Sequence, residues 1–246
     1  LNDREYYHGL KSYVDSVVYP DFPYSHVYAI KEVVEKIPSD SVLHLSINDS
    51  IRITNFFKLN PRIKTYANIG THGIDGCLSS FLGQAAAGNK QSYLVIGDLA
   101  FFYDMNAMRL RHIKNNVHIL LINNEGGSEF YFNHMWKDEA SDLHTTARHH
   151  TKAEGWVKSN NFIYLSAHDK ESMQEALKEF MRCDLEKPVF LEVFTEMKTD
   201  SDVIYDFFDL SRPKDVQSET IRRSKEFIKA TIGQEKAQKI AGLFKK

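Results

Sequence analysis

Two uninterrupted apolar runs stand out along the chain, Tyr93-Leu94-Val95-Ile96 and the VHILLI run from Val117 to Ile122. Neither shows the apolar–polar alternation of a half-exposed strand, so both predict strands buried on two faces. Between them, about 104–114 reads as a helix, with Met105, Met108, Leu110 and Ile113 as apolar contacts and Asn115-Asn116 as its stop. A strand–helix–strand unit of this length is a right-handed parallel crossover. Both strand ends, Gly97-Asp98 and Asn123-Asn124-Glu125-Gly126-Gly127, therefore fall on one sheet edge, where open α/β sheets bind ligands.

The rest of the pattern extends this unit. Tyr6, Leu10, Tyr13, Val14 and Val17 predict a surface helix, and Ser25 is placed to cap a second one with Val27, Ile30, Val33, Val34 and Ile37 as its stripe. Val42–Ile47 reads as a strand closed by Asn48-Asp49-Ser50, and Ile63–Ala67 as a short strand. A helix rich in small residues follows, LSSFLGQAAAG. Then come a helix over 151–159, a strand over Phe162–Leu165, a helix over Asp169–Met181 and a last buried strand, Pro188–Phe194. The alternation predicts an α/β fold, a doubly wound parallel sheet with helices on both faces. From Asp200 the composition changes: 203–210 is aromatic, Ser211-Arg212-Pro213 breaks it, and 217–246 reads as Lys-rich helices. The expected division is a helix and linker over 1–22, the main domain over 23–198, and a C-terminal helical extension over 199–246.

Composition narrows the function classes. The 246 residues carry a formal net charge of −2, which gives no electrostatic reason to bind nucleic acid or a membrane. No run approaches the length of a membrane-spanning helix. Two cysteines, Cys77 and Cys183, are too few for a disulfide framework and fit a reducing cytoplasm. Cys77 reads as a small buried thiol and His44 as a core histidine. His144, His149 and His150 predict no transition-metal site, because adjacent rings on a helix point apart.

The sheet edge carries the chemistry. Asp98 brings a carboxylate, Asn124 a carboxamide, and Gly126-Gly127 a loop able to expose backbone carbonyls. Such hard oxygen donors suit Mg²⁺ that keeps phosphate oxygens as its other ligands. The amides after Asp98, at Leu99 and Ala100, suit a diphosphate. Either pair alone is ordinary turn chemistry; both at the ends of consecutive parallel strands make a site.

Gly97-Asp98 with Asn124 downstream resembles the GD(G)…NN signature of thiamine-diphosphate enzymes. The closer resemblance is to the 2-succinyl-5-enolpyruvyl-6-hydroxy-3-cyclohexene-1-carboxylate synthases. It is carried by Gly97-Asp98-Leu99, Tyr103-Asp104-Met105-Asn106-Ala107, Asn123-Asn124-Glu125-Gly126-Gly127 and Gly73-Ile74-Asp75-Gly76-Cys77-Leu78-Ser79, and spans about 25–195. It implies thiamine diphosphate and Mg²⁺ as cofactors, with Asp98, Asn124 and Gly126 as metal ligands. It further implies cofactor contacts at Ile74, Gly97, Asp98, Leu99, Ala100, Asn124, Gly126 and Gly127, Ile74 propping the cofactor into its bent conformer. Arg52 and His72 fall where that family handles substrate, and Phe130, Tyr131, Phe132 and Trp136 in its closing segment. The family's usual Arg before the GIDG-like stretch has no counterpart here; Ile69 stands in its place, and the likeness is stronger for cofactor than for substrate.

The reaction so implied is decarboxylation of a 2-oxo acid and transfer of the resulting acyl carbanion to an acceptor. The alternatives are simple 2-oxo acid decarboxylation, a non-catalytic assembly module, and an α/β nucleotide-binding domain, which lacks the expected Gly-rich loops. In such enzymes a glutamate on a separate pyrimidine-binding domain activates the cofactor. No such domain is recognisable here and the chain starts at Leu1 without Met. It is therefore expected to be the C-terminal cofactor-binding part of a larger protein or a split subunit. Its expected partners are that domain, in the same full-length chain or a partner subunit, within a homodimer or homotetramer.

Overall fold

The computed structural model describes residues 4–70, 72–131 and 143–211. Two compact units are distinguished, 1–206 and 207–246; the description below concerns the first. In chain order it contains α1 (Arg4–Ser16), α2 (His26–Val34), β1 (Val42–Leu45), α3 (Asp49–Thr54), β2 (Lys64–Ala67) and α4 (Cys77–Ala87). These are followed by β3 (Ser92–Gly97), α5 (Asp98–Asp104) with a 3-10 turn (Met105–Arg109), β4 (Val117–Asn123) and α6 (Ser128–Tyr131). The series ends with α7 (Glu154–Ser159), β5 (Ile163–Ala167), α8 (Lys170–Phe180), β6 (Val189–Phe194) and α9 (Met197–Ser211), whose last residues enter the second unit.

The six strands are all parallel, in the order β2-β1-β3-β4-β6-β5. Right-handed crossovers that step in opposite directions put their helices on opposite faces. Side chains confirm the two layers, because successive residues of a strand point to opposite faces. Leu94, Ile96, Ile119 and Leu121 pack with Leu78, Phe81 and Leu82 of α4, Phe101 of α5 and Val157 of α7. The alternate residues Tyr93 and His118 stack on each other at 4.4 Å and meet Phe180 of α8 edge-on. The doubly wound parallel sheet expected from the sequence is the fold.

Local signals explain most element ends. Ser25 caps α2 by accepting the Tyr28 N–H, and Asp169 with Ser172 forms a capping box on α8. Gly76 enters α4 at φ 73, a left-handed conformation that favours glycine. One expectation fails. The helix expected at about 104–114 lies at Asp98–Asp104, directly on the end of β3, and continues only as the 3-10 turn. Starting at once buries Ala100 and Phe101, with Phe101 edge-on to Phe190 at 5.1 Å, whereas Leu110 is left 47% exposed on extended backbone.

α1 has no buried residue, and β2, one of the two edge strands, is exposed along its whole length. Cys77 is buried and both cysteines are free. His44 is partly buried between the rings of Tyr66 and Phe81, and burial pushes its pKa down to about 4. Among the described residues no helix is long and apolar enough to cross a membrane.

Candidate active site

The strand order reverses direction between β1 and β3, because β2 lies to one side of β1 and β3 to the other. A crevice at the carboxyl ends of such strands is the usual ligand position in open α/β sheets. Here it is a cavity lined by Asn48 and Asp49 after β1, Gly97 to Ala100 after β3, and Ile122, Asn124 and Gly126 to Phe130 at and after β4. It is an open cleft, about 620 Å³ when the space at its open mouth is counted in. All eight residues assigned to cofactor contact by resemblance line it, Ile74 included.

Asp98 is the first residue of α5 and 2% exposed. Its Oδ2 accepts the Gly126 N–H at 2.9 Å and its Oδ1 accepts the Leu99 N–H at 2.6 Å. The Leu99 amide is thus turned onto Asp98 itself. The imidazole of His149 lies 3.4 Å from Oδ2, and this contact raises the His149 pKa against the opposing effect of burial. A buried carboxylate is normally neutralised by a partner or a metal, and a half-buried histidine at that distance is a weak partner.

The loop that delivers the Gly126 N–H is tightly held. Gly126 has φ 151, and a Cβ there would lie 2.6 Å from the Thr146 carbonyl oxygen. Gly127 donates to that same oxygen at 2.7 Å, and His149 N–H donates to the Glu125 carbonyl at 3.0 Å. Glycine is therefore required for close backbone approach.

Asn124, 5% exposed, donates through Nδ2 to Asp200 Oδ2 at 2.9 Å. Asp200 on α9 is completely buried. Its Oδ2 also accepts the Thr195 hydroxyl at 2.6 Å, and its Oδ1 accepts the His26 backbone N–H at 2.8 Å. The His26 ring, buried as well, sits 3.1 Å from Asp200 Oδ1 and 3.8 Å from Asp49 Oδ2. Burial disfavours charge on both members, but their mutual attraction prevails: the Asp200 pKa is lowered and the His26 pKa raised.

Further carboxylates face the cavity. Asp49 accepts the Ser128 hydroxyl at 2.8 Å, while its Oδ1 and Glu129 Oε2 are buried without a hydrogen bond. Arg52 does not line the cavity; it pairs with Glu129 at 2.5 Å and is half exposed. His72 is exposed, at φ 54, and also lies off the cavity lining. Phe130 lines the mouth and is 47% exposed, so it is not a core aromatic; Phe132 and Trp136 lie outside the described residues. His150 pairs with Glu125 at the surface, and among the described residues no group of three His, Cys, Asp or Glu side chains forms a metal cluster.

The sequence reading missed His26, Asp49, His149, Thr195 and Asp200. Asp200 in particular lies beyond position 198, where the main domain was expected to end, yet it is a buried member of the first compact unit.

No protein-family model matches the chain. Among curated proteins it is similar to 2-succinyl-5-enolpyruvyl-6-hydroxy-3-cyclohexene-1-carboxylate synthase of Phocaeicola vulgatus, 35% identical over 80% of this chain and 36% of the relative. The synthase of the same name from Bacteroides fragilis is 35% identical over 83% of this chain and 37% of the relative. That of Christiangramia forsetii is 34% identical over 78% and 33%, respectively. The chain thus spans about a third of the length of the curated relatives it matches. Over most of its own length, it is a sequence relative of the 2-succinyl-5-enolpyruvyl-6-hydroxy-3-cyclohexene-1-carboxylate synthases.

Proposed function

We propose that this chain is the diphosphate-binding part of a thiamine-diphosphate- and Mg²⁺-dependent enzyme that decarboxylates a 2-oxo acid and transfers the acyl unit to an acceptor. The observation that carries the reading is the buried Asp98 carboxylate facing the Asn124–Gly127 loop at the strand switch. Asp98, the Asn124 carboxamide oxygen and the Gly126 carbonyl would hold the cation. The cavity also carries Asp49 and Glu129, so an anionic cofactor would be repelled without a divalent ion between. The residues present therefore fit the group.

Thiamine diphosphate supplies, when bound, the carbon nucleophile and the store for the electrons left behind by CO₂. This chain's own work is binding and orientation. The Ala100 amide, and the Leu99 amide once released from Asp98, would donate to the diphosphate. Ile74 would brace the cofactor, while Phe130 at the mouth would exclude water. Arg52 would meet the substrate carboxylate after leaving Glu129, a match of guanidinium to carboxylate, and His72 would approach substrate only if its loop turns inward. The activating glutamate would come from a pyrimidine-binding domain, in the same full-length protein or a partner subunit, within a cytoplasmic homodimer or homotetramer.

A second reading, decarboxylation without an acceptor, is favoured by Ile69 standing where the resemblance leads one to expect arginine. A rise in turnover on adding a cyclic diene carboxylate acceptor decides for transfer, and no rise decides for decarboxylation alone.

The main test is calorimetric titration of thiamine diphosphate with and without Mg²⁺, on the complete protein and on Asp98→Ala. Mg²⁺-dependent binding that Asp98→Ala abolishes is expected. Absence of binding to the complete protein at millimolar cofactor would sink the reading.

A further inference from the structure

Resting on that reading of the site, the geometry points to Asp200 as a positioning residue: it grips the Asn124 amide nitrogen so that the carboxamide presents its oxygen, not its NH₂, to the cation. A free asparagine side chain can turn by 180° with little penalty, and its two ends differ completely as ligands: the oxygen accepts, the NH₂ only donates. Asn124 does not have that freedom. An ionised carboxylate is acceptor-only, so the atom 2.9 Å from Asp200 Oδ2 is necessarily the nitrogen. The oxygen is then the end of the amide left for the cavity that Asn124 lines.

Asp200 is itself fixed. The Thr195 hydroxyl and the His26 backbone N–H hold its two oxygens from different parts of the chain, and the buried His26 ring lies 3.1 Å from Oδ1. An amide side chain at 200 would replace one of these two accepting oxygens with a donor. Because α9, α2 and the residue that follows β6 supply these groups, one sheet-edge ligand is oriented by residues far from it in sequence. Nothing in this network touches the cavity except through Asn124, His26 and Asp49, so Asp200 is not a catalytic residue.

The test is a residue swap. In Asp200→Asn the new NH₂ faces the NH₂ of Asn124, which is relieved by turning Asn124 over and offering nitrogen to the cation. In the double variant Asn124→Asp/Asp200→Asn, either oxygen of residue 124 can serve as ligand while the NH₂ introduced at position 200 donates to the other. The Thr195 hydroxyl accepts in place of donating, and the His26 N–H keeps its carbonyl partner. Mn²⁺ uptake in the presence of thiamine diphosphate, read by the loss of free-Mn²⁺ electron paramagnetic resonance signal, is measured on the complete protein. Asp200→Asn is expected to weaken Mn²⁺ binding at least tenfold, and the swap to return it to within about threefold of wild type. Binding by Asp200→Asn within twofold of wild type overturns the inference and leaves the site reading standing, as does a loss that the swap does not restore. Absence of uptake by the wild type strikes the site reading itself, and the inference with it.

Discussion

The Gly126 N–H donates to Asp98 Oδ2 at 2.9 Å, so the loop after β4 is tied directly to the carboxylate at the end of β3. The bond fixes the spacing between the two halves of the candidate site, and its backbone donor can come this close only because residue 126 has no Cβ to collide with the Thr146 carbonyl.

Gly126→Ala is expected to destabilise the domain by at least ~2 kcal/mol, from positive-φ strain and overpacking combined. The added Cβ would lie 2.6 Å from the Thr146 oxygen, which cannot retreat without breaking its bond to Gly127. Gly97→Ala meets nothing within 4 Å and serves as the control. Urea unfolding of both variants measures the difference; equal midpoints would contradict the account of the loop.

Acid should unfold the domain partly through His118. Burial pushes its pKa down to about 4 from an ordinary 6.5, the ring lying between the Phe180 carbonyl and Gln91. Between these values the unfolded chain takes a proton that the folded chain refuses, so stability falls as pH drops from 6.5 toward 4. The full loss is about 3 kcal/mol as an order of magnitude. His118→Gln, whatever its absolute stability, should show a slope of stability against pH shallower by up to one proton over that window. An unchanged slope would remove His118 from the acid response.

Glu192 on β6 is fully buried and accepts from Asn123 Nδ2, the Ala153 N–H and the Tyr164 hydroxyl. Glu192→Gln turns one acceptor into a donor facing donors and should cost roughly 2–4 kcal/mol. Tyr164→Phe should cost about 1–2 kcal/mol, and the pair should be non-additive in a double-mutant cycle because they share one hydrogen bond. Strict additivity measured by urea unfolding would mean that the bond contributes nothing.

Glu129 competes for the guanidinium proposed to meet substrate. Since Arg52 is half exposed, Glu129→Gln should change stability by less than about 0.5 kcal/mol. It should lower KM for the 2-oxo acid, while Arg52→Ala raises it. A KM indifferent to both substitutions would return Arg52 to the role of a surface cation.

What the sequence displayed and what it concealed follow from range. β3 and β4 were legible because strands covered on both faces carry apolar runs that need no partner to recognise. Asp98 and Asn124 were legible because each stands at the end of such a run. The helix after β3 was misplaced because DLAFFYD carries its buried residues, Ala100 and Phe101, side by side without a long stripe. Asp200 was invisible for another reason. Its partners Asn124, Thr195 and His26 converge only once α2 and α9 have reached the same sheet edge, and no local spacing records that meeting.

That convergence bears on how the domain folds and on how a ligand would be felt. Residues 26, 49, 98, 124 and 200 share a single edge, so the pocket has no early, locally assembled form: it exists only after the two ends of the sheet-forming segment have met. Its contacts are of high sequence separation, the kind that complete late in a folding reaction. Partial unfolding anywhere along 26–200 that frees one of these groups also dissolves the pocket. A ligand held there would consequently stabilise the domain as a whole, raising the melting temperature with concentration as mass action requires. A thermal shift would thus report occupancy of this edge even in a protein whose catalysis cannot be assayed.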